Sequence, residues 1–299
     1  MSSIKNFFLA TRPNFLIITL LGCCIGLSFP SLGIKSSWIV NLLAILVAML
    51  AHSGANLLND YCDHRNGSDE NNDERITPYT GGGRYIQNQI LSPRQIYLSA
   101  LVLLGLAAIS GLYICSVTTW ELLPIGLVGI CMAWGYSAPP LQLMSRGILG
   151  ELAIAIAWSS LVVGMASLQI AKLAASAIPV GLTFGLMISN ILLVNQIPDI
   201  NADKAAGKNT LAVQCKNKQI WVWQILILLS GFALQFMSIY DGTLPKYTLI
   251  TLACVPGFAY CASILRNRAN IKAQLKLTIQ VNLLTVHLYA ILLLTGMFL

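Results

Sequence analysis

Residues 56–69 read Asn56-Leu57-Leu58-Asn59-Asp60-Tyr61-Cys62-Asp63-His64-Arg65-Asn66-Gly67-Ser68-Asp69, a sudden concentration of amide and acidic side chains after an apolar run. If the helix of that run continues, Asn56, Asp60 and Asp63 fall at i, i+4 and i+7, and their oxygens share one face. Hard oxygen donors on one stripe suit a divalent cation such as Mg²⁺, which takes carboxylate and phosphate oxygens and keeps some of its waters. A second cluster follows far downstream in Asn195-Gln196-Ile197-Pro198-Asp199-Ile200-Asn201-Ala202-Asp203, with Asn195, Asp199 and Asp203 at i, i+4 and i+8. Two Asn-x-x-x-Asp clusters ending two apolar segments are expected to form the two halves of one site.

Working outward, the rest of the chain is apolar. It has 299 residues, 56% hydrophobic and 10% charged, with mean hydropathy +0.72, whereas soluble domains carry about 25% charged residues. This is the composition of an all-α polytopic membrane protein. Windows of about 20 apolar residues predict nine transmembrane helices at 14–33, 38–58, 96–116, 121–138, 148–168, 173–197, 219–239, 244–264 and 277–297, forming one domain over 1–299. The first apolar run, from Phe15 to Ser28, follows Arg12-Pro13 without a small-residue cleavage site and reads as a retained span.

Placing the N-terminus in the cytosol leaves only Lys35, Lys172 and Lys246, of 18 Lys and Arg residues, on the outer side. The positive-inside rule therefore predicts a cytosolic N-terminus, an outer C-terminus and both acidic clusters on the cytosolic face. The net charge of +7 carries no basic run interleaved with aromatics, which argues against nucleic-acid binding. The eight cysteines form no Cys-x-x-Cys pair, and most read as small buried hydrophobes. Trp38, Trp120, Trp221 and Trp223 begin spans and read as interfacial anchors, and Trp134 and Trp158 as packing residues.

The loop from Asn59 to Arg94 is long and polar, with Thr80-Gly81-Gly82-Gly83-Arg84 at its centre. Long ordered loops are often functional lids. Consecutive glycines let a backbone approach phosphate, with Arg84 as a multidentate donor; a flexible connector would look the same. Asp69, Glu70, Asp73 and Glu74 read as a solvated charge run from which Asp69 is the one placed to depart. Tyr136-Ser137-Ala138-Pro139-Pro140 ends the fourth span. Glu151, near the inner end of the fifth, needs a partner or water. Arg266, Arg268, Lys272 and Lys276 read as topology and lipid-surface charge. His52, one turn before Asn56, either lines a cavity or packs between helices. His64 and Cys62 read as spacers within the motif, and His287 as structural.

Carboxylates that hold Mg²⁺, flanked by cationic side chains above an apolar bundle, imply a substrate with a diphosphate head and a hydrocarbon tail. In the Arg12-Pro13 opening, Asn56-x-x-x-Asp60-x-x-Asp63, Tyr136-Ser137-x-Pro139-Pro140 and the segment from Asp199 to Leu211, the chain resembles the UbiA superfamily of intramembrane aromatic prenyltransferases. The wording from Asn59 to Asp69 is most similar to the 1,4-dihydroxy-2-naphthoate, or menaquinone-type, branch.

The resemblance implies a nine-helix bundle around a central cavity, roofed by cytosolic cap loops, in a bacterial inner membrane. It implies Mg²⁺-dependent transfer of an isoprenyl group from a polyprenyl diphosphate to an aromatic quinone precursor through an allylic cation. Carried over position by position, Asn56, Asp60, Asp63, Asp199 and Asp203 match the metal-diphosphate residues. Arg12, Arg84 and Lys208 match diphosphate contacts, and Tyr136 and Asn195 wall positions near the reacting centre. No nucleic acid and no obligate protein partner are implied.

Gly67, where the 4-hydroxybenzoate branch has a further acid, Gln142, where a basic residue is frequent, and Pro78-Tyr79-Thr80-Gly81-Gly82-Gly83-Arg84 depart from related wordings. The acceptor therefore stays open among 1,4-dihydroxy-2-naphthoate, 4-hydroxybenzoate, haem, chlorin and glycerol phosphate. Of the other classes, an ion transporter would need acids toward the outer face as well. A CDP-alcohol phosphotransferase would need an Asp-Gly-x-x-Ala-Arg element that is absent.

Overall fold

The computed structural model describes residues 2–29, 36–70, 72–215, 219–267 and 272–299. The end of the first predicted span and the charges Lys35, Lys216, Lys218 and Arg268 lie outside the described residues. The chain folds as an all-helical bundle because, away from water, a helix satisfies every backbone N–H and C=O within its own segment. Large apolar side chains such as Ile109 (68% exposed) and Leu229 (61%) remain on its outside, where hydrocarbon rather than water meets them.

α1 (Ser2–Ala10) and α2 (Pro13–Leu27) meet at a 57° bend. The bend is set by Arg12 in the left-handed region (φ 58°) and by Pro13 opening α2. α3 (Trp38–Asn66) starts where Ser37 Oγ accepts from Val40 N and ends at Gly67, whose φ of 81° suits a residue without a side chain. It runs well past the predicted limit of residue 58, so Asn59, Asp60 and Asp63 are helical. α4 (Pro93–Val117) opens with a capping box between Ser92 and Gln95. α5 (Leu122–Gly135) is followed by α6 (Leu149–Ile170) and α7 (Ala177–Asn195).

Pro198 stops α7: a 3₁₀ turn (Ile197–Asp199) and the short α8 (Ile200–Ala205) carry the second acidic cluster, followed by α9 (Leu211–Cys215). α10 (Ile220–Tyr240), a 3₁₀ segment (Lys246–Cys254) continuing into α11 (Val255–Arg266), and α12 (Lys272–Phe298) complete the bundle. α6 and α7 approach so closely that a Cβ at Gly185 would lie 2.1 Å from the Ala155 carbonyl. Small residues at a helix crossing are what permit such an approach in a membrane. A two-residue parallel pairing, Arg146–Gly147 against Asn209–Thr210, ties the segment before α6 to the segment after α8 at the polar end.

Among the described residues, seven helices are long and apolar enough to cross a membrane, or eight if the bent α1–α2 pair is one span. The predicted fourth span is where the count differs. α5 has 14 residues, about 21 Å at 1.5 Å per residue, short of the ~30 Å hydrocarbon core. Glu121 and the Tyr136–Pro140 turn truncate it. By length and composition the chain is an integral membrane protein.

Candidate active site

The polar end of the bundle gathers both acidic clusters above one cavity of about 570 Å³. α3 presents Asn56, Asn59 and Asp63 to that cavity, the last residue of α7 presents Asn195, and the segment after α7 presents Asp199, Asp203 and Lys208. The two clusters meet through Lys208, whose Nζ lies 2.5 Å from Asp63 Oδ1 and 3.1 Å from Asp203 Oδ1. Burial alone would pull the Lys208 ammonium down, but the two carboxylates outweigh it and hold it above the ordinary lysine value.

Asp60 is 5% exposed and does not face the cavity. It is ion-paired with Arg12 and accepts the Gly83 N–H at 3.3 Å. Arg12 itself lines the cavity, held there by the αL turn before α2, while Asn56 Nδ2 donates to the preceding carbonyl of Thr11 at 3.0 Å. Asn59 Nδ2 donates to Asp63 Oδ2 at 3.2 Å and so fixes the carboxylate that meets Lys208. Tyr136 also lines the cavity, within electrostatic reach of Asp63 and Asp203.

The loop between α3 and α4 folds down over the site. Asn72 Nδ2 donates to Asp199 Oδ1 at 2.6 Å, and Asn201 Nδ2 reaches both oxygens of Glu74 at 3.1 Å. Arg84 Nη1 donates to the Asp69 carbonyl at 2.6 Å, which makes Arg84 a strut for the loop rather than a cavity-lining group. Gly81 and Gly82 sit at φ +73° and +70°, and a Cβ on Gly82 would lie 2.6 Å from Asp69 Oδ2. Here the glycines are required, both for backbone conformation and for the close approach.

Asp69 is the exception to the solvated charge run: it and Asn72 are buried at 4% and 3%, whereas Glu70, Asp73 and Glu74 are exposed. Burial, then the Asp63 and Asp60 charges, push the Asp69 carboxyl up to about 8. Asn72 and Thr80 were not legible as site residues, because the loop carries no periodicity that assigns its side chains to a face. His64 pairs with Glu70 on the outside, Cys62 is buried packing, and Glu151 is buried at 2% in the first turn of α6.

The donor set fits a divalent cation shared with a substrate. Asp63 and Asp203 already share one cationic group, the Lys208 ammonium. Asp69 and Asn72 line the cavity, and each has a buried side-chain oxygen, Oδ2 and Oδ1, with no hydrogen-bond partner among the described residues. No three His, Cys, Asp or Glu residues among those described converge into a closed cage. An ion here would be completed by water or phosphate oxygens, the habit of Mg²⁺. Away from the acids the cavity is apolar and extends to Cys115, Leu122 and Leu168 near the opposite end.

Comparison with known proteins identifies the family. Over 248 residues the chain is 26% identical to a 1,4-dihydroxy-2-naphthoate octaprenyltransferase of Bacillus subtilis, covering 79% of this chain and 78% of that protein. Over 217 residues it is 29% identical to the protein of the same name from Haemophilus influenzae, covering 70% and 68%. The fold is similar to that of a UbiA homolog from Archaeoglobus fulgidus solved with DMAPP and Mg²⁺, at TM-score 0.70 and 15% identity over 97% of this chain and 99% of that one. With residues 15–296 matching the UbiA prenyltransferase family, and two acidic clusters joined above a long apolar cavity, the chain belongs to that family and is a membrane-embedded prenyltransferase.

Proposed function

We propose that the protein transfers an isoprenyl group from a polyprenyl diphosphate to 1,4-dihydroxy-2-naphthoate, in a Mg²⁺-dependent reaction. The observation that carries this reading is the convergence of Asp63 and Asp203, from the two motifs, on one cation at the mouth of the apolar cavity. Asn56, Asp63, Asp199 and Asp203 are the residues proposed to hold the ion and the diphosphate, with Asp60 joining them once Arg12, its partner here, turns to the phosphate, and Asp69 added by its burial and its unpartnered oxygen. Bound Mg²⁺ would neutralise charge on the departing diphosphate.

The protein's own groups do the rest. Arg12 and Lys208, now paired with carboxylates, turn to the phosphate oxygens when substrate enters, while Arg84 holds the loop that closes over them. The apolar walls hold the polyprenyl tail and keep water from the allylic cation, which the ring attacks before losing its proton. Tyr136 and Asn195 form the wall beside the reacting carbon. Nine spans follow if the bent α1–α2 pair and the short α5 each cross the membrane. The positive-inside distribution then puts the N-terminus and the site on the cytosolic side of a bacterial inner membrane, and nine spans put the C-terminus outside.

The naphthoate assignment is supported by the names of the relatives; 4-hydroxybenzoate is the competing acceptor. The test is a membrane assay with Mg²⁺ and a labelled polyprenyl diphosphate, offering both acceptors in parallel. Label in a lipid-soluble naphthol product supports the assignment. Label only in a hydroxybenzoate product reassigns the acceptor, and no labelled product with either refutes aromatic prenyl transfer.

A further inference from the structure

The wall that α3 gives the cavity is made almost wholly of small residues until it reaches the acids. Ala44, Ala48, Ala51 and Ala55 line it, and the one polar side chain among them is His52. On the adjoining wall α6 contributes Ala153, Ala157 and Trp158. The His52 imidazole and the Trp158 indole meet edge to face, with centroids 5.0 Å apart and planes at 82°.

Thr19, fully buried on α2, fixes the imidazole through a 2.6 Å contact between Oγ1 and Nδ1. That contact uses one ring nitrogen. Nε2 makes no hydrogen bond among the described residues and is not sealed from the cavity. Whichever tautomer the Thr19 contact selects, Nε2 presents one hydrogen-bonding function on a stretch of the α3 wall that is otherwise alanine. A polyprenyl tail offers nothing to match it.

The level of His52 in the membrane says what would. It lies one helical turn below Asn56, about 6 Å along the axis at 1.5 Å per residue. The allylic carbon is joined directly to the diphosphate, so a ring attacking that carbon lies just beneath the acids. The facing alanines leave room there for a planar ring. A ring hydroxyl, which both donates and accepts, complements Nε2 in either tautomer.

We propose that His52, oriented by Thr19 and flanked by Trp158, hydrogen-bonds a ring hydroxyl of the aromatic acceptor and selects for it. The proposal rests on the prenyl-transfer reading above and adds to it the group that recognises the acceptor. No bond to the protein is made or broken: the imidazole orients the hydroxyl, and where Nε2 is the acceptor it also polarises the O–H bond so that the oxygen feeds more electron density into the attacking ring.

The experiment compares two aromatic acceptors differing by one ring hydroxyl, with the same labelled polyprenyl diphosphate and Mg²⁺, in the wild type, His52→Phe, His52→Gln and Thr19→Val. The ratio of kcat/KM for the two acceptors cancels their intrinsic reactivity when it is compared between proteins. A buried hydrogen bond contributes at least about tenfold to such a ratio. His52→Phe should lower the ratio by about that factor and Thr19→Val by less, while His52→Gln, whose amide still hydrogen-bonds, keeps part of it. Binding of a non-cleavable polyprenyl diphosphate analogue should be unchanged in all four, which separates acceptor recognition from general damage to the bundle. A wild-type ratio retained in His52→Phe, with transfer still occurring, overturns the proposal and leaves prenyl transfer standing. A wild type that prenylates no hydroxylated aromatic overturns both.

Discussion

Lys208 offers the most direct test of the way the two acidic clusters are joined. Its ammonium lies between Asp63 and Asp203, and the three side chains are only 7%, 15% and 9% exposed. Replacing it in Lys208→Met keeps the length of the side chain but leaves two buried carboxylates without their cation. Breaking a buried ion pair by removing one partner costs about 3–5 kcal/mol, so the metal-free variant should melt well below the wild type in detergent with EDTA. The carboxylates it frees are those proposed to hold Mg²⁺. A ligand at a hundred times its Kd stabilises by about 2.7 kcal/mol. Mg²⁺ with pyrophosphate should therefore recover most of the loss, and should raise the thermal midpoint of the variant more than that of the wild type, where the lysine must first be displaced. Prenyl transfer should still fall, because the variant lacks a diphosphate contact. A variant as stable as the wild type in EDTA would show that Lys208 does not carry the junction. A Mg²⁺-induced rise no larger than in the wild type would refute a cation site shared by Asp63 and Asp203.

Asp60→Ala and Asp199→Ala should each abolish prenyl transfer while helix content by circular dichroism stays that of the wild type; undiminished Mg²⁺-dependent turnover in either would remove that residue from the site. Arg84→Ala frees the loop from the Asp69 carbonyl and should raise the KM for the diphosphate substrate severalfold with little change in melting, so an unaltered KM would show that the strut is dispensable. Gly82→Ala places a Cβ 2.6 Å from Asp69 Oδ2 at φ +70° and should cut kcat/KM by at least about tenfold, as expected where backbone strain meets a clash. The Asp69 carboxyl is held at about 8 against roughly 3.9 in an unfolded chain. The folded, metal-free protein thus binds more protons than the unfolded one in that window, and its stability should fall as pH rises from about 4 to 8. Asp69→Asn should flatten this dependence; a thermal-midpoint profile identical to the wild type would show that Asp69 does not titrate there.

Much of this protein was readable from its residues in order. Composition and apolar run length dictated a membrane bundle, because twenty residues without charge have no comfortable place in water. The spacing of Asn56, Asp60 and Asp63 put their side chains on one face of one helix, since 3.6 residues per turn is a local property of the backbone. The resemblance of four ordered motifs to one family needed no coordinates. Helix ends were less legible: α3 extends to Asn66 because Gly67 caps it, and α5 is shortened by flanking turns that a hydropathy window averages away.

Tertiary structure alone decided which groups meet. No local pattern places Lys208 between Asp63 and Asp203, turns Asp60 toward Arg12 and out of the cavity, or brings Asn72 onto Asp199. The same is true of His52, whose two readings from sequence, helix packing or cavity wall, both hold: Thr19 takes one nitrogen and the cavity receives the other. Helical periodicity assigns a side chain to a face of its own helix. What that face meets depends on how α2, α3, α6 and the loop after α3 pack, and such contacts join residues far apart in the chain.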